Sequence, residues 1–463
     1  MRRIIIISDT HIGGVHKPML GNPNLLCNFL AQLGDYARPE GERLELIING
    51  DFVDFLAVAP HSAWTPDEDA CIRKLEGAVA QFTPVFDSFR KCIAKVDLFT
   101  LTLGNHDIES ALPRVTEALL NKLSTDLHSC EFVRSNQAYR VGDLLVEHGN
   151  RYDSWNAISY PDLQRVASAA SRLEPVPAIN PCPGSLMVEK LVNPLRDDYP
   201  FVDLLKPETK LLPLVFSALE PSLKRDVRRI FQISNLWVKQ WARTRSWLPS
   251  VSSEAEQLIS AKGHSTGLPE NVRDVFQDEL AAISGEEQIS VKERWQDLKN
   301  MLRPDSMATL IRSGKPLPAD RVEKLRVAVV TALKSDRTFD FDGPDGPYLE
   351  AAKRVIGSGG SGRPRVVVMG HTHTMKYVPV GSDAHYVNTG TWVDLMRVPA
   401  DLSILEAKTS EFSNWLRKAV LDVDSLRFSD PAYADILLDD DGTLRQPDRR
   451  PLLRRFREGP FKD

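Results

Sequence analysis

The 463-residue chain has few cysteines, little net charge and no long apolar run, and each shortage narrows what it can be. Its five cysteines (Cys27, Cys71, Cys92, Cys130, Cys182) are odd in number and far apart, with no CxxC pair. That argues against a disulfide scaffold and against a Cys-type zinc site. Lys+Arg 58 against Asp+Glu 63 leaves a net charge of −5, too balanced for a whole-surface nucleic-acid binder. No apolar stretch approaches the roughly 18 residues of a membrane span. The opening MRRIIIISDTH breaks at Ser8 after four isoleucines, too short for a signal peptide, so a cytoplasmic protein is expected. What is present, 42% hydrophobic and 26% charged residues, describes an ordinary globular chain, and its length allows roughly three domains.

Apolar runs suited to buried strands occur at Arg3–Ile7, Leu44–Ile48, Val96–Leu103 and Leu144–Glu147. Helical spacing lies between them, over Asn24–Tyr36 and Glu68–Ile93. This alternation predicts an α/β layered domain. Strand-like runs return only at Arg365–Met369 and Tyr386–Asn388. The two hundred residues before that return read as helices: Asp162–Leu173, Pro221–Trp247, Asn271–Arg303 and Ala319–Ser335. Prolines at 174–183, 248–249 and 343–347, and the Gly/Ser stretch 357–362, punctuate this segment. The sequence therefore predicts an α/β core over 1–150 and 363–405, a helical insertion or cap over 151–362, and a C-terminal extension over 406–463. Ser410–Val420 reads as a helix and Leu437–Gly442 as a turn. The five arginines of Arg449–Arg457 read as a solvated terminus or a small anion-binding arm.

Five short motifs stand at the ends of expected strands: Asp9-Thr10-His11, Gly50-Asp51-Phe52-Val53-Asp54, Gly104-Asn105-His106-Asp107, His148-Gly149 and Gly370-His371-Thr372-His373. In extended chain an i, i+2 pair shares a face, so Asp9 with His11, and His371 with His373, can each address one site. Glycines beside the clusters let a metal or phosphate approach the backbone. Open α/β sheets gather ligands at the carboxyl ends of their strands. Five of the ten histidines fall inside these motifs, which a set of ordinary core histidines does not explain. His16, His61, His128, His264 and His385 read as surface or core residues, and Asn388 and Trp392 as turn and packing residues.

In this order the motifs resemble DxH…GDxxD…GNH[DE]…H…GHxH, the signature of the calcineurin-like metallophosphoesterase superfamily. The resemblance covers about 1–150 and 365–395. It implies a four-layer α/β/β/α metallophosphoesterase sandwich, with the large, mainly helical insertion as a cap. It also implies two divalent metal ions. Asp9, His11, Asp51 and His373 would hold the first; Asp51, Asn105, His148 and His371 would hold the second, with Asp51 bridging. Such mixed donors suit Mn²⁺, Fe or Zn²⁺. Against four positive charges, two carboxylates and a bridging hydroxide leave about one net positive charge to attract a phosphate. The implied reaction is attack of that hydroxide on a phosphate monoester, diester or pyrophosphate bond. In the resemblance His106 is the general acid, Asp54 its orienting partner, and Asp107 an outer hydrogen-bond acceptor.

The expected partner is a phosphorylated small-molecule, nucleotide or lipid-linked substrate. Phe55 follows Asp54 where phosphoprotein phosphatases carry arginine, which weakens that reading. An alternative resembles UDP-2,3-diacylglucosamine hydrolase, a lipid-linked pyrophosphatase; another is a non-catalytic scaffold of the same fold. Specificity is expected in the cap. Pro221–Trp247 carries seven Lys/Arg and one acid beside an apolar stripe, so it reads as a packed cap helix or as a face for an anion, including a membrane surface. Arg151, just after the fourth motif, and Arg196, in a proline-bounded loop, are candidate substrate-binding guanidiniums.

Overall fold

Four consecutive isoleucines have no polar face, so a strand made of them must be covered on both sides. In the computed structural model, β1 (Arg2–Ile7) is such a strand, with Ile4 to Ile7 fully buried. The structure describes residues 1–14, 18–124, 129–133, 138–177, 179–208, 211, 212, 215, 219, 306–358, 362–445 and 452–457. The helical stretches expected over 221–247 and 271–303, the break at 248–249, and His16, His128 and His264 lie outside these residues. The chain forms two compact units, one of residues 1–188, 337–394 and 429–463, the other of 189–336 and 395–428.

The first unit is an α/β sandwich of two sheets. One has the order β11-β10-β1-β2-β3-β4, where β2 is Arg43–Asn49, β3 Leu98–Thr102, β4 Cys130–Val133, β10 Ala432–Leu438 and β11 Leu453–Arg455. Strands β1 to β4 run parallel, and β10 closes antiparallel on β1. The other sheet has the order β5-β6-β7-β9-β8, with β5 Tyr139–Val141, β6 Leu144–Val146, β7 Val366–Met369, β8 Met375–Val380 and β9 Ala384–Thr389. Here β6, β7 and β9 are parallel neighbours.

The period-two alternation of strands divides each apolar run between two layers. Ile4, Ile6, Ile47, Ala434 and Ile436 of the first sheet pack with Val146, Val366, Val368 and Val387 of the second, forming the inner core. On the outer face of the second sheet, Val367, Met369 and Tyr386 meet Leu349, Ala352 and Ile356 of the helix Gly346–Ser358. On the outer face of the first sheet, Phe29 of α1 (Pro23–Gly34) meets Tyr433 of β10. Beside it lie α2 (Glu68–Gln81), α3 (Thr83–Ile93) and α4 (Pro113–Leu123), and Phe86 and Phe89 of α3 close on Phe52. The layers are α/β/β/α. The continuous helix expected over 68–93 is two helices, because Pro84, with no N–H to donate, starts a new one after Phe82.

Segments read as insertion and extension supply parts of this unit. Within 151–188, α5 (Tyr160–Ser171) places Tyr160 and Leu163 against Leu103, Ile108 and Ala111. The helix 346–358 covers the second sheet, and 432–438 and 453–455 extend the first. The reason is burial: these segments carry the apolar faces that the two sheets require. The arginine-rich end is tied down, with Arg454 on Asp435 and Arg455 on Asp430. The second unit, taken alone, is helical where described, with α6 (Met307–Arg312), α7 (Ala319–Leu333) and, after α8 (Gly346–Ser358) of the first unit, α9 (Thr409–Leu421). Its Tyr199 is fully buried and accepts a hydrogen bond from the Ala308 N–H at 2.9 Å.

Candidate metal centre

All five motifs follow strand ends directly: β1 leads to Asp9, β2 to Asp51, β3 to Asn105, β6 to His148 and β7 to His371. Because β1, β2 and β3 are parallel, as are β6 and β7, each sheet delivers its loops at one edge. The loops are tied to one another: the Asp9 and His11 N–H groups donate to the Gly50 and Asp51 carbonyls, and the His371 N–H donates to Asp9 Oδ2 at 2.9 Å. Asp9, His11, Asp51, His371 and His373 all have positive φ, between 40° and 72°. Non-glycine residues held there cost about 1–3 kcal/mol each and persist where a site demands the geometry. Two glycines explain the tight approach. A Cβ on Gly104 would lie 2.0 Å from Asp51 Oδ1, and one on Gly370 would lie 2.4 Å from Asp9 Oδ2.

The ligating atoms of Asp9, His11, Asp51 and His373 lie within 4.8 Å of one another, and so do those of Asp51, His148 and His371. Asp51 belongs to both groups. His148 Nδ1 is 2.8 Å from the Asn49 carbonyl, so it carries a proton and donates, which makes Nε2 the nitrogen that can coordinate once it gives up its own proton. That Nε2 lies 3.2 Å from Asp51 Oδ2. The buried Asn105 Oδ1 likewise meets no donor, while its Nδ2 lies 3.5 Å from Asn156 Oδ1. His11 Nε2 and His373 Nε2 face each other at 3.0 Å. Converging carboxylates, imidazole nitrogens and an unmet amide oxygen fit divalent cations, which would satisfy all of them together once the imidazoles release their protons.

The electrostatics carry the same message. Asp9, Asp51 and Asp54 are at most 2% exposed, and three carboxylates buried so closely require positive charge nearby. Burial alone would raise the Asp51 carboxyl, but the His148, His106 and His11 imidazoles outweigh it and hold the group well below the usual range. Burial opposes a charged His148 ring, yet Asp51 and Asp9 push it up to about 9. In the metal-free protein the imidazoles thus supply the countercharge. Asp107 differs: burial, then the facing Asp51 carboxylate, push it up to about 7, although it accepts from the Gly104 and Phe52 N–H groups at 2.7 and 2.8 Å. It links the second and third motif loops.

Asp54 lies between two histidines, with Oδ1 at 3.1 Å from His106 Nδ1 and Oδ2 at 3.3 Å from His11 Nδ1. These three side chains form a further group whose atoms lie within 4.8 Å of one another. Burial would lower His106, but the Asp54 and Asp51 carboxylates raise it. Its side chain is 18% exposed, against 1% for His11, so its outer edge reaches solvent beside the cluster.

The two candidate arginines are placed differently. Arg151 lies in the loop after His148, 3.3 Å from Glu147 Oε2. Arg196 belongs to the second unit, buried and 2.5 Å from Asp203 Oδ2. Asn388 is buried and donates to the Gly370 carbonyl, holding the fifth motif's turn, and Trp392 packs on Phe29. His61 lies near the Leu56 carbonyl and His385 stacks on Tyr377, both apart from the metal groups. Two residues not singled out as ligand partners adjoin the cluster: Asp153, 3.1 Å from His371 Nε2, and Asn156. Their only signal in the sequence was position, on the loop following the fourth motif.

The two-sheet sandwich gathers buried carboxylates and imidazoles at its strand ends, in groups that could hold metal ions. Residues 2–177 match the family model of the calcineurin-like phosphoesterases, which supports the metallophosphoesterase superfamily for this segment; members of that family bind divalent metals and act on phosphoester bonds. The fifth motif lies beyond the matched residues yet completes the same cluster. No curated protein matches the chain.

Proposed function

We propose that the protein hydrolyses a phosphate monoester, diester or pyrophosphate bond with two divalent cations, Mn²⁺ before Fe or Zn²⁺. Asp9, His11, Asp51 and His373 hold one ion; Asp51, Asn105, His148 and His371 hold the other. The observation that carries this reading is the shared Asp51, common to two groups of ligating atoms. When bound, the ions supply Lewis acidity, polarising the phosphoryl group and making water nucleophilic near neutral pH. The chain's own contribution is proton transfer. His106, held through Nδ1 by Asp54, presents its other nitrogen to the leaving-group oxygen and gives it a proton as the P–O bond breaks. The Asp54 and Asp51 charges outweigh burial and favour the imidazolium, the form that can give the proton.

Substrates are phosphorylated small molecules, nucleotides or lipid-linked phosphates. Phe55, fully buried where phosphoprotein phosphatases have arginine, speaks against phosphoproteins. Among the described residues no helix is long and apolar enough to cross a membrane. The test is a screen of the Mn²⁺-loaded protein on a phosphomonoester, a phosphodiester and a nucleoside-diphosphate-linked pyrophosphate. Metal-dependent turnover of one class supports the proposal and names the bond. No turnover of any class, with metal bound, favours a scaffold of this fold.

A further inference from the structure

The three ligand side chains unique to the second ion are Asn105, His148 and His371, and two of them are held by one short loop. Asp153 Oδ2 lies 3.1 Å from His371 Nε2, which occupies that nitrogen and leaves Nδ1 for coordination. Asn156 Oδ1 lies 3.5 Å from Asn105 Nδ2, a long contact on the amide's nitrogen end that leaves the buried Oδ1, which meets no protein donor, for coordination. The two loop residues are joined, since Asn156 Nδ2 donates to Asp153 Oδ2 at 2.7 Å. The loop itself is braced. The Trp155 N–H donates to Asp153 Oδ1 at 2.8 Å, Asn150 Nδ2 donates to the Asn156 carbonyl at 3.1 Å, and the Gly184 N–H donates to the Trp155 carbonyl at 2.8 Å. Gly184 also packs so closely that a Cβ there would lie 2.0 Å from Asn156 Oδ1. The first ion's residues are served elsewhere, with His11 resting on Asp54.

We infer that Asp153 and Asn156 are positioning residues for the second ion alone, so that affinity there is set by the 153–156 loop independently of the first ion. A carboxylate or carbonyl behind a coordinating imidazole fixes its tautomer and raises its basicity, and losing such a partner typically costs about 10–100-fold in metal affinity. The inference rests on the two-ion reading proposed above, and the test separates the two. The full-length protein is stripped of metal and titrated calorimetrically with Mn²⁺, as wild type, Asp153→Ala, Asp153→Asn and Asn156→Ala, with folding followed by circular dichroism. The expected result is two ions in the wild type. In the variants the first affinity stays within about threefold, and the second falls about 10–100-fold, least in Asp153→Asn, which keeps an acceptor. Should Asp153→Ala not fold, the isosteric Asp153→Asn and the milder Asn156→Ala carry the same prediction. Two ions in the wild type with unchanged second affinity in the folded variants, or equal weakening of both ions, overturns the inference. Fewer than two ions in the wild type instead overturns the two-ion reading.

Discussion

Replacing His106 with alanine removes a side chain that the structure keeps beside the proposed metal ligands but hydrogen-bonded to a carboxylate. Its Nδ1 is committed to Asp54 at 3.1 Å, and it is absent from both groups that share Asp51. His106→Ala should therefore keep both ions while losing the proton donor. General acid catalysis is worth about 10²–10⁴-fold, or roughly 2.7–5.4 kcal/mol at 1.36 kcal/mol per tenfold. The loss should depend on the leaving group. An alkoxide needs the proton, so kcat should fall by the full amount; a nitrophenolate departs without one, so its rate should change less than about tenfold. The assay is kcat for a paired alkyl and nitrophenyl phosphoester series on wild type and variant, with metal content measured on the same samples. The basic limb of the wild-type pH profile, from deprotonation of an imidazolium stabilised by Asp54, should vanish in the variant. Equal losses on both leaving groups, or loss of an ion, would refute the assignment and make His106 a ligand instead.

Three further outcomes follow from the same geometry. Asp51→Ala removes the carboxylate common to both groups, so metal content should fall to one ion or fewer and turnover by about 10³-fold or more, read by metal analysis and initial rates. Gly104→Ala adds a methyl 2.0 Å from Asp51 Oδ1, and the forced shift should cost about 1–3 kcal/mol of stability and weaken metal binding, measured by denaturant titration and calorimetry. Metal binding should tighten as pH rises from 6 to 9, because His148, pushed up to about 9 in the metal-free protein, must lose its proton to coordinate. Proton release in two buffers of different ionisation enthalpy checks this, and a pH-independent affinity would count against His148 as a ligand.

The strands that carry the site were legible because they are buried on both faces. The mostly aliphatic runs at 4–7, 44–48 and 366–369 are buried, and the motif residues follow them. Less legible was β10, where Asp435 interrupts an otherwise apolar strand. Its charge is answered by Arg3, 432 positions away, at 2.7 and 2.9 Å. The basic end that became β11 looked like a solvated tail for the same reason: its partners are distant acids. Asp153 shows the limit most clearly. Its sequence neighbours say nothing of His371, which is 218 positions away and arrives only when β6 and β7 pair. Residue types and spacing single out candidate ligands; the groups that contact them emerge from packing.

The most direct measurement is the number of divalent transition-metal ions held by the full-length protein after metal-supplemented expression and removal of loose metal. The account predicts about two per chain, with phosphoester hydrolysis lost on chelation and restored by Mn²⁺. One ion per chain or fewer would contradict it.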